Sequence, residues 1–476
     1  MSSDAFTSPP TMGDTQKIFM LGIGGSGMSG IAEVLAQLGH RVAGSDLRGG
    51  PVTERLRSLG ITVHLGHQAE YVADADVLVV SSAVPEDNPE LLAAKAARIP
   101  VVPRAAMLAE LMRYRRGIAV AGTHGKTTTT SLLAAVFAEA GEDPTFVVGG
   151  LVNNAGSNAR LGAGNYLIVE ADESDASFLH LLPMVSVVTN VESDHLDHYE
   201  GNIQKYEQAY IDFLHNLPFY GFAIVCIDDQ GVRHLMPHIS RRLVTYGLDP
   251  AADYRVSEVV ADGLLTHFKV DRPNGRRALQ ITLPMPGRHN AVNAAAAISV
   301  ATELGLDDDA ILNGIAEFSG VGRRFSLLGE MACEGGSALL VDDYGHHPTE
   351  IRATLAAARG AYPQRRIVTV FQPHRYSRTR DFYDDFVVAL SDCDVLLLME
   401  VYPAGEEPIA GADSRALARS LRQRGAIDPI LVPDAEPLTT VLQRVLRSDD
   451  LVLTLGAGNI GRFAQALVGS VPGGVT

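Results

Sequence analysis

Ile118-Ala119-Val120-Ala121-Gly122-Thr123-His124-Gly125-Lys126-Thr127-Thr128-Thr129-Thr130 is the stretch from which the rest of the chain is read. An apolar run with the character of a strand meets a glycine turn, then Lys-Thr, then a helix of small residues from Ser131 to Ala140. That layout is a phosphate-binding loop. Backbone N–H groups and the positive end of the helix face an anion, Lys126 adds a mobile charge, and a threonine hydroxyl is available to Mg²⁺. The longer common form of the loop has a glycine where Val120 stands, so this is a shortened variant, Gly-Thr-His-Gly-Lys-Thr. A plain strand-to-helix turn with a surface lysine leaves the coincidence of glycines, lysine and threonines unexplained.

Upstream, Lys17 to Leu21 reads as a buried strand followed by Gly22-Ile23-Gly24-Gly25-Ser26-Gly27. Met28, Ile31, Val34, Leu35 and Leu38 then recur at helical spacing, and a second strand, Arg41 to Ser45, ends in Asp46. Taken alone this is a dinucleotide fingerprint with Asp46 placed for a ribose hydroxyl, and it supports a nicotinamide-dependent oxidoreductase. Further strands at Ile61 to His64, Val77 to Ser81 and Val101-Val102, and a helix from Ala105 to Met112, predict a five-stranded parallel sheet. The physical content is narrower than a named cofactor: a diphosphate on a helix N-terminus, its nucleotide open.

Downstream, Tyr166 to Val169 reads as a strand ending in Glu170-Ala171-Asp172-Glu173-Ser174-Asp175. Carboxylates at a strand's carboxyl end beside a phosphate loop suit Mg²⁺, which prefers hard oxygens; the alternative is a solvated acidic loop. Val185 to Thr189 leads into Asn190-Val191-Glu192-Ser193-Asp194-His195-Leu196-Asp197-His198, where His195 is placed for a second cation or a phosphate. Tyr254 to Val259, Leu264 to Val270 and Ala278 to Leu283 alternate polar and apolar residues, with Arg272-Pro273-Asn274-Gly275 as a hairpin signal. Gly287-Arg288-His289-Asn290-Ala291-Val292-Asn293 starts an alanine-rich helix. Asn290 and Asn293 share one of its faces, suited to a base edge. Capping accounts for only one of them.

In the last third, Phe318 to Phe325 is a glycine-broken basic turn and a natural linker, with Arg323 and Arg324 able to reach phosphate. Ala338 to Val341 runs into Asp342-Asp343-Tyr344-Gly345-His346-His347-Pro348, and Val368 to Phe371 into Gln372-Pro373-His374-Arg375-Tyr376-Ser377-Arg378. Two adjacent strands are thus expected to end in His, Arg, Tyr and Asp clusters, where Arg375 and Arg378 can grip a carboxylate. Leu451 to Leu455 precedes a second Gly-x-Gly-x-x-Gly, Gly456 to Gly461, read as close helix–strand packing because no acidic-ended strand follows.

Composition sets limits on all this. The 476 residues suit about three domains, and 46% hydrophobic content describes a globular protein with ample core. A net charge of −17 argues against a nucleic-acid or anionic-membrane surface, so bound phosphates need local sites. Cys226, Cys333 and Cys393 are too few and too scattered for a disulfide framework or a metal cluster, which fits a reduced cytoplasm. No apolar run is long enough to span a bilayer, and residues 1–15 read as a disordered tail.

Gly122 to Thr127, Glu170 to Asp175, Asn190 to Asp197 and His289 to Asn293 together resemble the muramyl ligases, the ATP-dependent amide-forming enzymes of peptidoglycan precursor assembly. The resemblance covers the chain beyond its tail. It implies an α/β protein of three domains: a Rossmann-like UDP-sugar domain (16–114), a P-loop ATP domain with a small antiparallel sheet (115–322), and a Rossmann-like amino-acid domain (323–476). It implies ATP with Mg²⁺ or Mn²⁺, UDP-N-acetylmuramate and L-alanine as small-molecule substrates, no nucleic-acid or membrane partner, and a monomer or homodimer.

By position, the resemblance puts ATP on Gly122, Thr123, His124, Gly125, Lys126, Thr127, Thr128, His289, Asn290, Asn293 and Arg324, and metal on Thr127, Glu170 and His195. The UDP-sugar falls to Gly22, Gly24, Gly25, Ser26, Gly27, Asp46 and Ser81, and the amino acid to Tyr344, His346, His374, Arg375 and Arg378. Lys126 and His124 serve the phosphoryl transfer, and Asp343 or His346 assists deprotonation of the amine. Sibling ligases carry a carbamylated lysine on the helix after the His195 loop; Tyr210 stands there, so none is expected. Rival readings are a murein tripeptide recycling ligase, folylpolyglutamate synthetase, the oxidoreductase, and a P-loop switch, the last disfavoured by Val120 and the acidic surface.

Overall fold

The computed structural model describes residues 12, 15–81, 83–153, 157–194, 196–432 and 438–469. Its first sheet holds β1 (Lys17–Leu21), β2 (Arg41–Asp46), β3 (Thr62–Leu65), β4 (Val77–Val80) and β5 (Val101–Pro103) in the order β3-β2-β1-β4-β5. All four pairings are parallel, as expected. Ile18 and Met20 of β1 enter one buried cluster while Phe19 and Leu21 enter another, so both faces of the sheet are covered. The strand order reverses between β1 and β4, and the Gly22 turn leaves β1 at that switch point.

The central sheet contains β6 (Arg116–Ala121), β7 (Thr145–Val152), β8 (Ser157–Arg160), β9 (Tyr166–Glu170), β10 (Val185–Val188), β11 (Phe222–Cys226), β12 (Arg242–Gly247), β13 (Tyr254–Asp262), β14 (Leu265–Asp271) and β15 (Leu279–Leu283). The order is β15-β14-β13-β12-β11-β10-β6-β9-β7-β8, with β6 parallel to both β9 and β10 and only the β7–β8 hairpin antiparallel among the pairings of β6 to β13. β6, whose last five residues are buried, is the interior strand from which the phosphate loop emerges. β14 and β15 alternate buried and less buried positions, the period-two pattern read from the sequence.

The third sheet contains β16 (Ser326–Cys333), β17 (Gly336–Asp343), β18 (Ile367–Phe371), β19 (Val395–Leu398), β20 (Ile430–Leu431) and β21 (Leu451–Leu455), ordered β16-β17-β21-β18-β19-β20. β17 and β18 do not lie side by side as expected. β21 is inserted between them, parallel to both, so the last strand of the chain becomes a central one. β16 was not anticipated: it pairs antiparallel with β17 around a bulge at Leu327/Gly329, and its exposure breaks the alternation that would mark it.

Two compact units result, Met1–Ser257 with Lys269–Gln280 and Val292–Ser319, and Glu258–Phe268 with Ile281–Ala291 and Gly320–Thr476. Within the first unit the helix Ser26–Gln37 lies on the β7–β8 hairpin. A Cβ on Gly30 would come within 3.0 Å of Ala159 Cβ, and buried Glu33 accepts from Ser157 Oγ (3.1 Å) and Arg55 Nη2 (2.9 Å). No helix among the described residues is long and apolar enough to cross a membrane.

Candidate active site

The phosphate loop runs from Gly122 to the helix Lys126–Glu139. Its two glycines are required by geometry. Gly122 (φ +129°) has no room for a Cβ, which would fall 2.1 Å from Thr189 Oγ1, and Gly125 (φ +82°) would place one 2.6 Å from Asn293 Oδ1. Residues following β10 hold the turn. Asn190 Oδ1 accepts from His124 N (2.7 Å), while Asn190 Nδ2 (3.0 Å) and Thr189 Oγ1 (2.5 Å) donate to His124 O. Thr123 Oγ1 accepts from Glu192 N (2.9 Å) and lies 3.2 Å from the buried Tyr206 hydroxyl. The threonine run is buried rather than solvated: Thr130 and Ser131 donate back to the carbonyls of Lys126 and Thr127, both at 2.8 Å.

Charges converge at the carboxyl ends of β6 and β9. Thr127 Oγ1 lies 3.1 Å from each oxygen of Glu170, and Glu170 Oε2 also accepts from Gly149 N (2.7 Å). Lys126 Nζ donates to Glu173 (2.7 and 2.9 Å) and to Gly122 O (2.5 Å). Burial pushes the Glu173 carboxyl up to about 7 against the pull of Lys126. Burial opposes the Lys126 charge too, yet Glu173, Asp172 and Glu170 together hold the ammonium above its ordinary value. Asp172 is held low: burial resists its charge, and Lys126, Ser174 and Arg104 outweigh it. His124 Nε2 lies 3.6 Å from Glu192 Oε2. His195 lies outside the described residues. A hydroxyl and a carboxylate facing one another beside a phosphate loop are hard oxygen donors of the kind Mg²⁺ takes, so Thr127 and Glu170 fit a metal.

At the first glycine turn, Gly22 (φ +79°) would place a Cβ 3.6 Å from Ser81 Cβ, so these two expected residues meet at the switch point. Asp46 Oδ2 accepts from Gly24 N (2.9 Å), which ties the acid expected to face a ribose back onto the turn. Gly25 precedes the helix Ser26–Gln37 as its N-cap. Arg104 was not anticipated from the sequence. Its guanidinium would be 3.1 Å from a Cβ on Gly27 and lies 3.7 Å from Asp172. An arginine opening a helix behind a proline carries no local motif, so only the fold could reveal it.

In the second unit, Arg323 pairs with Asp342 (3.0 Å) and donates to Gly456 O (2.6 Å), so the expected linker is docked onto β17 and the turn after β21. The guanidinium carbons of Arg323 and Arg324 stand 5.1 and 5.2 Å from the Tyr344 ring. His346 lies 5.3 Å from Tyr344 and 6.0 Å from His374, which stacks on Tyr402 at 5.5 Å. Arg378, buried, has Nη1 3.4 Å from His374 Nδ1, and Arg375 (φ +69°) donates its N–H to Tyr402 O (2.9 Å).

Tyr344, His346, His374, Arg375 and Arg378 are therefore brought together, with Tyr402 as an unforeseen member. Asp343 is buried and accepts from Phe325 N, Gly345 N (both 2.7 Å) and Thr354 Oγ1 (3.3 Å), while burial raises its carboxyl. His289 is held down at about 4 by burial and then by Arg324. Asn290 Nδ2 donates to Pro286 O (2.8 Å), a structural bond, whereas Asn293 packs on Gly125. At the second glycine motif, Gly456 and Gly458 would set Cβ atoms 2.7 and 2.5 Å from the carbonyl and amide oxygens of Gln372, which shows the close packing expected there.

Three family models match the chain in succession: Mur ligase family, catalytic domain (17–116), Mur ligase middle domain (120–301), and Mur ligase, glutamate ligase domain (323–458). The chain belongs to the Mur ligase family. Its members are ATP-dependent peptide ligases of peptidoglycan synthesis, so the oxidoreductase reading of Gly22 to Asp46 is set aside. Among solved structures, this Mur ligase is similar to the UDP-N-acetylmuramate-alanine ligase MurC of Thermotoga maritima, at 30% identity and TM-score 0.80 over 95% of this chain and 98% of that one. It shares the fold of a murein peptide ligase from Psychrobacter arcticus (23%, TM-score 0.70, 96% and 100% covered) and of MurF from Acinetobacter baumannii (17%, 0.61, 90% and 91%). The three matched domains coincide with the three sheets.

Proposed function

We propose that this Mur ligase joins L-alanine to the lactyl carboxylate of UDP-N-acetylmuramate, with ATP converted to ADP and phosphate. The observation that carries the chemistry is the meeting of Lys126 with Glu173, and of Thr127 with Glu170, where β6 and β9 end. The choice of alanine is supported by the similarity to the Thermotoga maritima MurC over nearly the full length of both chains.

A carboxylate does not readily form an amide, so its oxygen first attacks the γ-phosphorus and ADP leaves, giving an acyl phosphate. The turn N–H groups and Lys126 bind the phosphates, with His124 beside them and Asn293 against the loop. Thr127 and Glu170, with His195, would hold Mg²⁺, which supplies neutralisation of phosphate charge. The glycine turn Gly22 to Gly27, with Asp46 and Ser81, is assigned to the UDP-sugar. Arg375 and Arg378 hold alanine's carboxylate beside Tyr344 and His374. The neutral amine attacks the acyl carbon, phosphate leaves, and the nitrogen gives up a proton. His346 is the better acceptor for it, because Asp343 is engaged by two backbone N–H groups and a threonine. These substrates are cytoplasmic metabolites, and we assign the chain to the cytoplasm.

The test is a substrate matrix of ATP and UDP-N-acetylmuramate with alanine, serine, glycine or the L-alanyl-γ-D-glutamyl-diaminopimelate tripeptide as acceptor. Phosphate release that requires alanine supports the reading. Turnover with the tripeptide alone would transfer the chain to the recycling ligases.

A further inference from the structure

Lys126 has three N–H donors, and the protein itself occupies them. Gly122 O lies at 2.5 Å, the two oxygens of Glu173 at 2.7 and 2.9 Å, and Thr123 O at 3.3 Å. The Glu173 side chain is 1% exposed, so this is an internal pairing and not a passing surface contact. Its segment is firmly built. Tyr199 donates its hydroxyl to Glu173 O (2.6 Å), Ser174 donates to Asp172 Oδ1 (2.7 Å), and Ala176 takes a left-handed turn (φ +56°). The two glutamates of this segment have separate partners, Glu170 meeting the Thr127 hydroxyl and Glu173 the ammonium.

A lysine in such a loop reaches a phosphate with the same donors it now gives to Glu173. A nucleotide must therefore displace at least part of a buried carboxylate–ammonium pair, and the carboxylate it displaces has lost its water.

We propose that Glu173 is a positioning residue of the nucleotide site, which holds Lys126 through its ammonium and competes with the phosphates for its donors. The inference rests on the ATP reading above and adds to it an internal competitor. Removing the carboxylate charge frees the ammonium, and binding tightens.

The experiment is calorimetric titration of the full chain with the Mg²⁺ complex of the β,γ-imido analogue of ATP. Glu173→Gln, close in shape and neutral, is expected to lower the Kd on the order of tenfold, within the usual range for coupled sites. Glu173→Asp keeps the charge but falls one methylene short of the ammonium, and is expected to shift affinity the same way by less. In a Lys126→Ala background, adding Glu173→Gln is expected to change nothing. A merely damaged site would bind more weakly, so the direction of the shift is diagnostic. Wild-type or weaker affinity in the folded Glu173 variants would overturn the inference while leaving the ATP reading intact. Absence of nucleotide binding by the wild-type chain would overturn both.

Discussion

Asn190 and His124 exchange two hydrogen bonds, the asparagine amide accepting from the histidine's backbone N–H at 2.7 Å and donating to its carbonyl at 3.0 Å. A side chain after β10 thus acts as a template for the loop after β6, and the loop's shape depends on the two strands being parallel neighbours. Asn190→Ala removes both bonds, each worth about 1 kcal/mol net. We expect the KM for ATP to rise about tenfold or more with little change in the KM for alanine, measured by steady-state phosphate release.

Gly125 combines a left-handed backbone with contact against Asn293. Gly125→Ala adds a Cβ that both features reject, at a cost of about 1–2 kcal/mol from the backbone alone. The melting temperature is expected to fall, and the further rise on adding Mg²⁺ and ATP to disappear. Thermal denaturation with and without nucleotide reads both.

Lys126 and Arg378 are predicted to fail at different steps. Lys126→Ala should abolish the acyl phosphate, detected as a hydroxamate after trapping with hydroxylamine. Arg378→Ala should leave trapping intact and raise the KM for alanine, by roughly 10- to 100-fold if one charge-assisted bond of about 1.5–3 kcal/mol is lost. Unchanged alanine affinity would remove the carboxylate role from Arg378.

His289 supplies a pH dependence of stability. Its folded value of about 4 lies below the ordinary 6.5, so the unfolded chain binds the proton more readily. The stabilisation by neutral His289 is fully present above 6.5 and is lost as pH falls from 6.5 through 4. Urea midpoints at pH 7.5 and 5 should therefore converge in His289→Gln relative to wild type.

The sequence was most legible where chemistry and backbone demand coincide locally. Gly122, Gly125, Lys126 and Thr127 are four neighbours whose joint meaning needs no distant partner, and the strand Leu451–Leu455 is read correctly from its apolar run alone. Asp46 was legible as the acid that ends the second strand, and its hydrogen bond from Gly24 N braces it against the glycines. β16 and the place of β21 were not legible, because strand order depends on crossover paths rather than on composition.

What the sequence by itself determined was the place of the glycine turns, the α/β class and the family. Glycine φ angles, apolar runs and motif spacing are properties of short segments. Only the tertiary structure decided which charges meet. Glu173 against Lys126, Arg104 between Gly27 and Asp172, and Tyr402 against His374 join residues 47, 68 and 28 positions apart, using the Arg104–Asp172 pair for the second. Their energies arise from burial and parallel strand neighbours, which exist only once the sheets have formed.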